Sequence, residues 1–171
     1  MRRSLVLTIA AALILSACAQ PATSGGGTDA PPVASLLPKN RLDLPSFDLG
    51  KFQALLEELR GAPVVVNIWG SWCPPCRVEA PGLARMAREF EGDVQFVGVD
   101  ILDVRESARQ FILEFDWPYP SVFDEDAEIR DRLGYVGQPV TIVYDRDGTV
   151  TLQWVGAITE DLLRREIRKV I

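Results

Sequence analysis

Cys73 and Cys76 are separated by two prolines and directly follow an apolar run of strand-forming residues. Two thiols at this spacing can close into a disulfide and return to the dithiol form. The thiolate is the form of cysteine that attacks disulfides, so such a pair exchanges disulfides with other thiols. The spacing therefore predicts redox chemistry at Cys73 and Cys76.

Two other uses of this spacing are disfavoured. A C-x-x-C pair is also half of a zinc site, but the chain has three cysteines and no histidine, so the second half is missing. A purely structural disulfide would close too short a loop to restrict the unfolded chain much. The absence of histidine also removes Cys-His nucleophiles, Ser-His-Asp triads and histidine-based metal sites, so we predict no metal.

The composition and net charge of the chain bear on the kind of ligand it can bind. The 171 residues carry a formal net charge of -6 and show no basic tract, which argues against nucleic acid as a ligand. The length suits one domain with appendages.

The chemistry requires a helix that starts at the first thiol. Unpaired backbone N–H groups and the positive end of the helix dipole favour a thiolate at such a start. We therefore expect Cys73 to be the accessible nucleophile, and Cys76, one turn further, to be the more shielded resolving thiol.

The elements that must position this pair alternate between short apolar runs and amphipathic segments, which indicates an α/β fold. The run 64–69 looks buried on both faces, as a central strand should be. Further strands are predicted at 94–99, in a short extended piece that ends near residue 122, and at 140–144 and 149–155. Helices are predicted at 51–60, from the cysteines to about residue 90, and at 104–115, 127–133 and 159–171.

The N-terminus is typical of an export signal. Arg2 and Arg3 precede the apolar run 5–15, which is too short to cross a bilayer as a helix. The run ends in Leu-Ser-Ala before Cys18, which resembles the bacterial lipoprotein signal, so Cys18 is the predicted lipidation site; a free or disulfide-bonded Cys18 is the alternative. We predict a signal peptide at 1–17, a lipidated cysteine and flexible linker at 18–40, and the folded domain at 41–171. This would anchor the domain on the extracytoplasmic side of the cell membrane.

Several offsets from the cysteines carry a family resemblance. Trp69 lies four residues before Cys73, Trp72 is adjacent to it, Glu79 and Pro81 follow Cys76 by three and five residues, and Gly-Gln-Pro-Val-Thr stands at 137–141. With these, the chain resembles the thioredoxin-fold proteins, and among them the membrane-tethered thiol-disulfide oxidoreductases of the TlpA/ResA group. The resemblance implies a central mixed β-sheet flanked by helices, an extra central βα insertion, and no cofactor beyond the Cys73–Cys76 disulfide.

The resemblance also assigns substrate-binding residues. Pro139 would have a cis peptide bond, face the cysteine pair, and let the backbone before it, at Gln138, pair with an extended substrate. Trp72 would pack at the same site. The alternative for Pro139 is an ordinary trans proline that opens an edge strand.

One proton-transfer position departs from the usual pattern. Thioredoxins usually carry a buried aspartate six residues before the first cysteine, where this chain has Asn67. An amide does not titrate, so we expect a buried Asn67 satisfied by hydrogen bonds. Glu79 is the remaining catalytic candidate, because it falls on the same helical face as Cys76; its alternative is a solvated glutamate.

The direction of electron flow follows from the charges near Cys73. The intervening prolines are uncharged, and Arg77, partly countered by Glu79, is the one nearby cation in sequence. We therefore expect a Cys73 pKa nearer that of thioredoxin, about 7, than that of DsbA, about 3.5. Both this and the resemblance favour reduction of protein disulfides, including those of apocytochrome c, with a membrane thiol-disulfide reductase as electron donor.

Three alternatives stay open. An exported disulfide-forming oxidase would share every motif and differ in its redox partner. A metal-binding or assembly lipoprotein is the alternative outside catalysis, although copper delivery is disfavoured without histidine. A peroxiredoxin is disfavoured because the second thiol follows at C-x-x-C spacing.

Overall fold

The computed structural model describes residues 34–171, which form ten helices and strands. In chain order they are α1 (Leu49–Glu58), β1 (Val64–Trp69), α2 (Pro74–Glu89), β2 (Gln95–Ile101), α3 (Arg105–Glu114), β3 (Ser121–Asp124), α4 (Glu128–Arg132), β4 (Val140–Tyr144), β5 (Val150–Val155) and α5 (Glu160–Ile167). The predicted elements are all present, with β2 ending two residues later and α5 ending four residues earlier than expected.

The strands form one mixed sheet in the order β3-β2-β1-β4-β5. β1 pairs in parallel with β2 and antiparallel with β4, so it lies at the centre. All six of its residues are buried, because helices cover both faces of the sheet. The fold is the predicted α/β thioredoxin type.

The chain between α3 and β4 adds one strand and one short helix. β3 extends the sheet in parallel beside β2, and α4 follows it and packs against α1. This unit is the central βα insertion that the resemblance implies.

The two faces of the sheet are covered by different helices. We call the side under α1 and α4 the helix-1 face, and the side under α2, α3 and α5 the helix-2 face. Side chains alternate between them along β1, so Val66 and Ile68 point to the helix-1 face whereas Val65 and Trp69 point to the helix-2 face. Both cysteines belong to the helix-2 face.

The ordered contacts begin before the predicted domain boundary at residue 41. Ala34 is buried, and Ser35 and the backbone N–H of Leu36 donate hydrogen bonds to Glu58 on α1. Residues 34–40, assigned to the linker from sequence, therefore lie against the domain. None of the helices in the described part of the chain is long and apolar enough to cross a membrane.

Candidate active site

Cys73 and Cys76 are joined by a disulfide at the start of α2. Cys73 is the N-cap of the helix, and its Sγ accepts a hydrogen bond from the backbone N–H of Cys76 at 3.2 Å. A sulfur in this position faces the unpaired N–H groups of the first turn, which stabilise a thiolate. The helix start predicted for Cys73 is present.

The two cysteines do not differ in exposure in this oxidised form. Each is 1% exposed, so the expected contrast between an accessible Cys73 and a shielded Cys76 is absent. Pro74 and Pro75 are exposed beside them, and Trp72 is 48% exposed. The disulfide therefore lies just below a rim of exposed apolar side chains.

The loop before Cys73 is held by the end of β2. The carboxylate of Asp103 accepts hydrogen bonds from the backbone N–H of Ser71 at 2.5 Å and from its hydroxyl at 2.9 Å. The Trp72 indole N–H donates to the carbonyl oxygen of Ile101 at 3.3 Å. These three bonds fix the segment that leads into the disulfide.

Pro139 lies at the start of β4, and its peptide bond with Gln138 is cis, as the resemblance implies. Because Val140 pairs with Ile68 at the end of β1, this loop lies at the sheet edge from which the cysteine loop departs. The side chain of Gln138 accepts a hydrogen bond from Arg130 of α4 at 3.1 Å. The insertion helix thus positions the loop that carries the cis proline.

Glu79 is buried on α2, one turn after Cys76, and is 4% exposed. Its carboxylate accepts hydrogen bonds from the Asn67 side-chain amide at 2.8 Å and from the Ile158 backbone N–H at 2.9 Å. Burial raises the pKa of Glu79 to about 7, and both hydrogen bonds act in the opposite direction. The alternative of a solvated glutamate is wrong, and the catalytic role stays a prediction.

Asn67 is fully buried in β1, and its environment is only partly as expected. Its amide N–H group is paired with Glu79, but its carbonyl oxygen has no hydrogen-bond partner among residues 34–171. The buried, fully satisfied amide that we expected is therefore half satisfied.

Arg77 does not face Glu79. Its guanidinium forms an ion pair with Glu114 of α3 and lies over the rings of Phe111 and Phe115. Glu79 points instead toward the sheet, so the sequence-based idea that it counters Arg77 is wrong. Residues two positions apart on a helix point in different directions, so Arg77 faces α3 whereas Glu79 faces the sheet.

Asp100 and Tyr119 are polar groups near the site that the sequence reasoning missed. Asp100 lies on the helix-2 side of β2, opposite Trp69 of β1, and is fully buried. Burial, together with the adjacent charge of Asp103, raises the pKa of Asp100 to about 9. Burial also raises the pKa of Tyr119 well above its usual value, and the charge of Glu79 adds to this. An aspartate at the end of the otherwise apolar run 96–101 was the available signal.

Aromatic rings form the floor of the site. Trp69 stacks on Phe111 with ring centroids 4.6 Å apart and meets Trp117 edge-on at 4.6 Å. The indole of Trp117 donates to the carbonyl oxygen of Ala80 in α2 at 3.2 Å. The rings thus tie α3 and α2 to the strand that ends at the cysteine loop.

The sequence of this chain is similar to that of a known protein family. The family model described as AhpC/TSA matches residues 41–153. The chain belongs to the AhpC/TSA family. As a family member it is 36% identical over 129 residues to the thiol:disulfide interchange protein DsbE of Pseudomonas aeruginosa, covering 72% of this chain and 70% of that one. It is 28% identical over 125 residues to the thiol-disulfide oxidoreductase ResA of Bacillus subtilis, covering 71% and 70%.

Solved structures of similar proteins share the fold. A secreted Mycobacterium tuberculosis disulfide oxidoreductase homologous to DsbE superposes with a TM-score of 0.62 at 26% identity, covering 77% of this chain and 99% of that one. A DsbF homologue from Corynebacterium diphtheriae gives 0.61 at 27% identity, covering 67% and 75%. With a disulfide at a helix start and a cis proline at the same end of the sheet, this AhpC/TSA member is a thiol-disulfide oxidoreductase. Cys18, the predicted lipidation site, lies outside the described residues.

Proposed function

We propose that this protein reduces disulfides of exported proteins, including apocytochrome c, on the extracytoplasmic side of the cell membrane. The observation that carries the direction is the charge environment of Cys73. Its sulfur is favoured as a thiolate by the start of α2, whereas Arg77, the cation nearest in sequence, is paired with Glu114. A thiolate without a cationic partner is less stabilised than that of a strong oxidant, and the couple is correspondingly more reducing.

The proposed cycle moves two electrons to the substrate. The Cys73 thiolate attacks a substrate disulfide, so that a Cys73–substrate disulfide forms and one substrate thiolate leaves. Cys76 then attacks Cys73, which forms the intramolecular disulfide and releases the second substrate thiolate. A membrane thiol-disulfide reductase returns both electrons by the same exchange in reverse.

Glu79 is proposed to take the proton from Cys76 in the second step. It lies one turn from Cys76 on the same face of α2, and its pKa of about 7 lets it change charge at neutral pH. Asn67 holds the carboxylate oxygen and does not itself titrate.

The substrate is proposed to bind across the exposed rim of the disulfide. Trp72 and Val136 are 48% and 90% exposed, and Val136 stands three residues before the cis proline. Outside the strands, the backbone hydrogen bonds of residues 34–171 include none from Gln138, so its N–H and C=O are available to an extended chain. Gln138 and Pro139 would thus align a peptide over Cys73, with Trp72 as its apolar contact.

Membrane attachment is proposed to occur through Cys18. The sequence before it has the order of a lipoprotein signal, and the residues that follow are a Gly- and Pro-rich tether. Metabolic labelling with a radioactive fatty acid should mark the wild-type protein and not Cys18→Ser. Equal labelling of both would contradict the anchor.

A redox titration tests the direction. The Cys73–Cys76 couple should equilibrate nearer the potential of thioredoxin, about -270 mV, than that of DsbA, about -120 mV. Insulin reduction by the wild-type protein should disappear in Cys73→Ser and persist in Cys18→Ser, which removes a cysteine that the cycle does not use. A couple as oxidising as DsbA would overturn the proposal.

Trapping in cells tests the partners. In Cys76→Ala the mixed disulfide on Cys73 cannot be resolved, so it should accumulate with apocytochromes and with a membrane thiol reductase. Cys73→Ser, which cannot form that intermediate, is the control. Recovery of a quinone-linked membrane oxidase alone would show that the protein forms disulfides.

A further inference from the structure

Asp100 is a fully buried carboxyl group that the exchange cycle does not use. It lies near the end of β2, between Trp69 of β1 and Phe123 of β3, which pair with it in the sheet. Neither of its carboxyl oxygens accepts a hydrogen bond from any donor in residues 34–171. An ionised carboxylate in that position would have lost its hydration without compensation.

Asp103, three residues later, is the group that faces it. After burial, the charge of Asp103 and a side-chain hydrogen bond with Asp103 are the causes that raise the pKa of Asp100. The Asp103 oxygens also accept three further bonds, from the N–H and hydroxyl of Ser71 and from the N–H of Val104.

Two carboxyl groups can share a hydrogen bond only when one of them holds a proton. Asp103 is half-buried and already accepts from three donors, whereas Asp100 is buried and has none. The proton therefore belongs on Asp100, which donates it to Asp103. This arrangement removes both the buried charge and the repulsion between the two groups.

We propose that Asp100 is a positioning residue for disulfide exchange: as a neutral acid it donates to Asp103, which in turn holds Ser71 and the loop leading into Cys73. The loop has one other tie to the same strand, from the Trp72 indole to Ile101. Loss of the Asp100 proton would place two negative charges side by side and loosen Asp103 from Ser71. Trp72 and Cys73 would then lose their fixed position.

The charges around Asp100 define the direction of its response to pH. Asp103 disfavours ionisation of Asp100, whereas Arg105 at the start of α3 favours it. β1 and β3 face Asp100 with Trp69 and Phe123, which are uncharged. Arg105 is itself engaged with the Leu44 carbonyl and the Ser46 hydroxyl. With a pKa of about 9 for Asp100, the loop is held at neutral pH and released as the pH rises through 9.

The oxidised wild-type protein provides the first test, since its cysteines do not titrate. Trp72 fluorescence, obtained by difference from Trp72→Phe, should change with a midpoint near pH 9. At pH 8 the infrared spectrum should contain the carbonyl band of a protonated carboxylic acid, which disappears through the same pH range. Absence of both signals would overturn the proposal.

Two substitutions at Asp100 separate positioning from simple burial. Asp100→Asn keeps a donor toward Asp103 and does not titrate, so it should retain the exchange rate within about twofold and lose the fluorescence transition and the infrared band. Asp100→Leu has no donor and should lower the rate about tenfold. Equal rates in the two variants, or a transition that survives in Asp100→Asn, would contradict the proposal.

Asp103→Asn and Asp124→Asn complete the set. In Asp103→Asn no second carboxylate is left to repel an ionised Asp100, so the fluorescence transition near pH 9 should disappear, and the infrared band should be lost at a lower pH because removing the charge of Asp103 lowers the pKa of Asp100. This variant decides the case if changes at Asp100 prevent folding. Asp124 is also buried with a raised pKa, but it caps the start of α4. Its amide variant should leave both the transition and the exchange rate unchanged. The inference uses the exchange activity alone, so it is independent of the direction of electron flow.

Discussion

The helix-1 face and the helix-2 face of the sheet are buried to the same degree but differ in composition. Along β1, β2 and β4 the buried side chains of the helix-1 face are aliphatic except for Tyr144, and they lie under the apolar surface of α1. The helix-2 face, which holds the disulfide, also buries polar side chains: Asn67, Glu79, Asp100, Tyr119, Ser121 and Thr141.

The buried polar groups of the helix-2 face lower the stability of the fold. Besides the carboxyl oxygens of Asp100, five side-chain atoms in the described residues are buried without a hydrogen-bond partner, and all belong to residues of the helix-2 face. Each such group is expected to destabilise the fold by about 1–3 kcal/mol. One face therefore supplies stability, and the other carries the groups that control charge near the cysteines.

Truncation of one large ring on each face should produce the largest effects. Phe52 of α1 is fully buried on the helix-1 face, and Phe52→Ala should lower the free energy of unfolding by about 3–5 kcal/mol without changing the exchange rate of the folded fraction. Phe111→Ala removes the ring that stacks on Trp69, and should lower both quantities. Urea denaturation and insulin reduction measure them. A Phe52→Ala protein that is folded but inactive would break the division between the faces.

Glu79→Gln tests the charge on the helix-2 face. Because the pKa of Glu79 is raised in the folded protein, the folded state holds more protons than the unfolded state between pH 4.5 and 7. Stability should therefore fall with rising pH across this window, on the order of 3 kcal/mol, and the variant should lack this share of the slope. Its amide can bond the unpaired Asn67 oxygen, so it should fold.

The same variant should slow the resolving step. Stopped-flow measurement of the mixed disulfide should show a rate that rises through pH 7 in the wild type and is flatter in Glu79→Gln. Glu91→Gln changes an exposed carboxyl after α2 and is the control for both measurements. Identical profiles in all three proteins would remove Glu79 from the mechanism.

A reciprocal exchange on β4 should give the smallest effects. Thr141 and Val140 are adjacent, both fully buried, and point to opposite faces. Thr141→Val removes a hydroxyl that has no partner within the structured region and should stabilise the protein by about 1 kcal/mol. Val140→Thr buries a hydroxyl on the apolar face and should destabilise it by about 1–3 kcal/mol. Shifts of the urea midpoint in the same direction would show that the faces do not differ in this respect.

The elements were predictable because their signals are local. The apolar run of β1 and the strand segments predicted at 140–144 and 149–155 depend on residues close in sequence, and each appears in the structure. The family offsets also predicted the βα insertion and the cis bond before Pro139.

The site was predictable only in part. The disulfide pair and the candidate Glu79 followed from spacing, but the direction of a side chain depends on what packs beside it. Arg77 points toward α3 because it forms an ion pair with Glu114 there. Glu79 points inward because the Asn67 amide and the Ile158 N–H donate hydrogen bonds to it. Asp100 and Asp103 looked like ordinary residues after a strand.

The sequence by itself determined the chemistry, since a C-x-x-C pair without histidine leaves disulfide exchange as the favoured use of the thiols. It also determined the α/β order, because hydrophobic periodicity depends on neighbours along the chain. Only the tertiary structure decided which carboxyl groups are kept from water. Burial of Glu79 and Asp100 depends on strands and helices distant in sequence, and burial is what raises their pKa values.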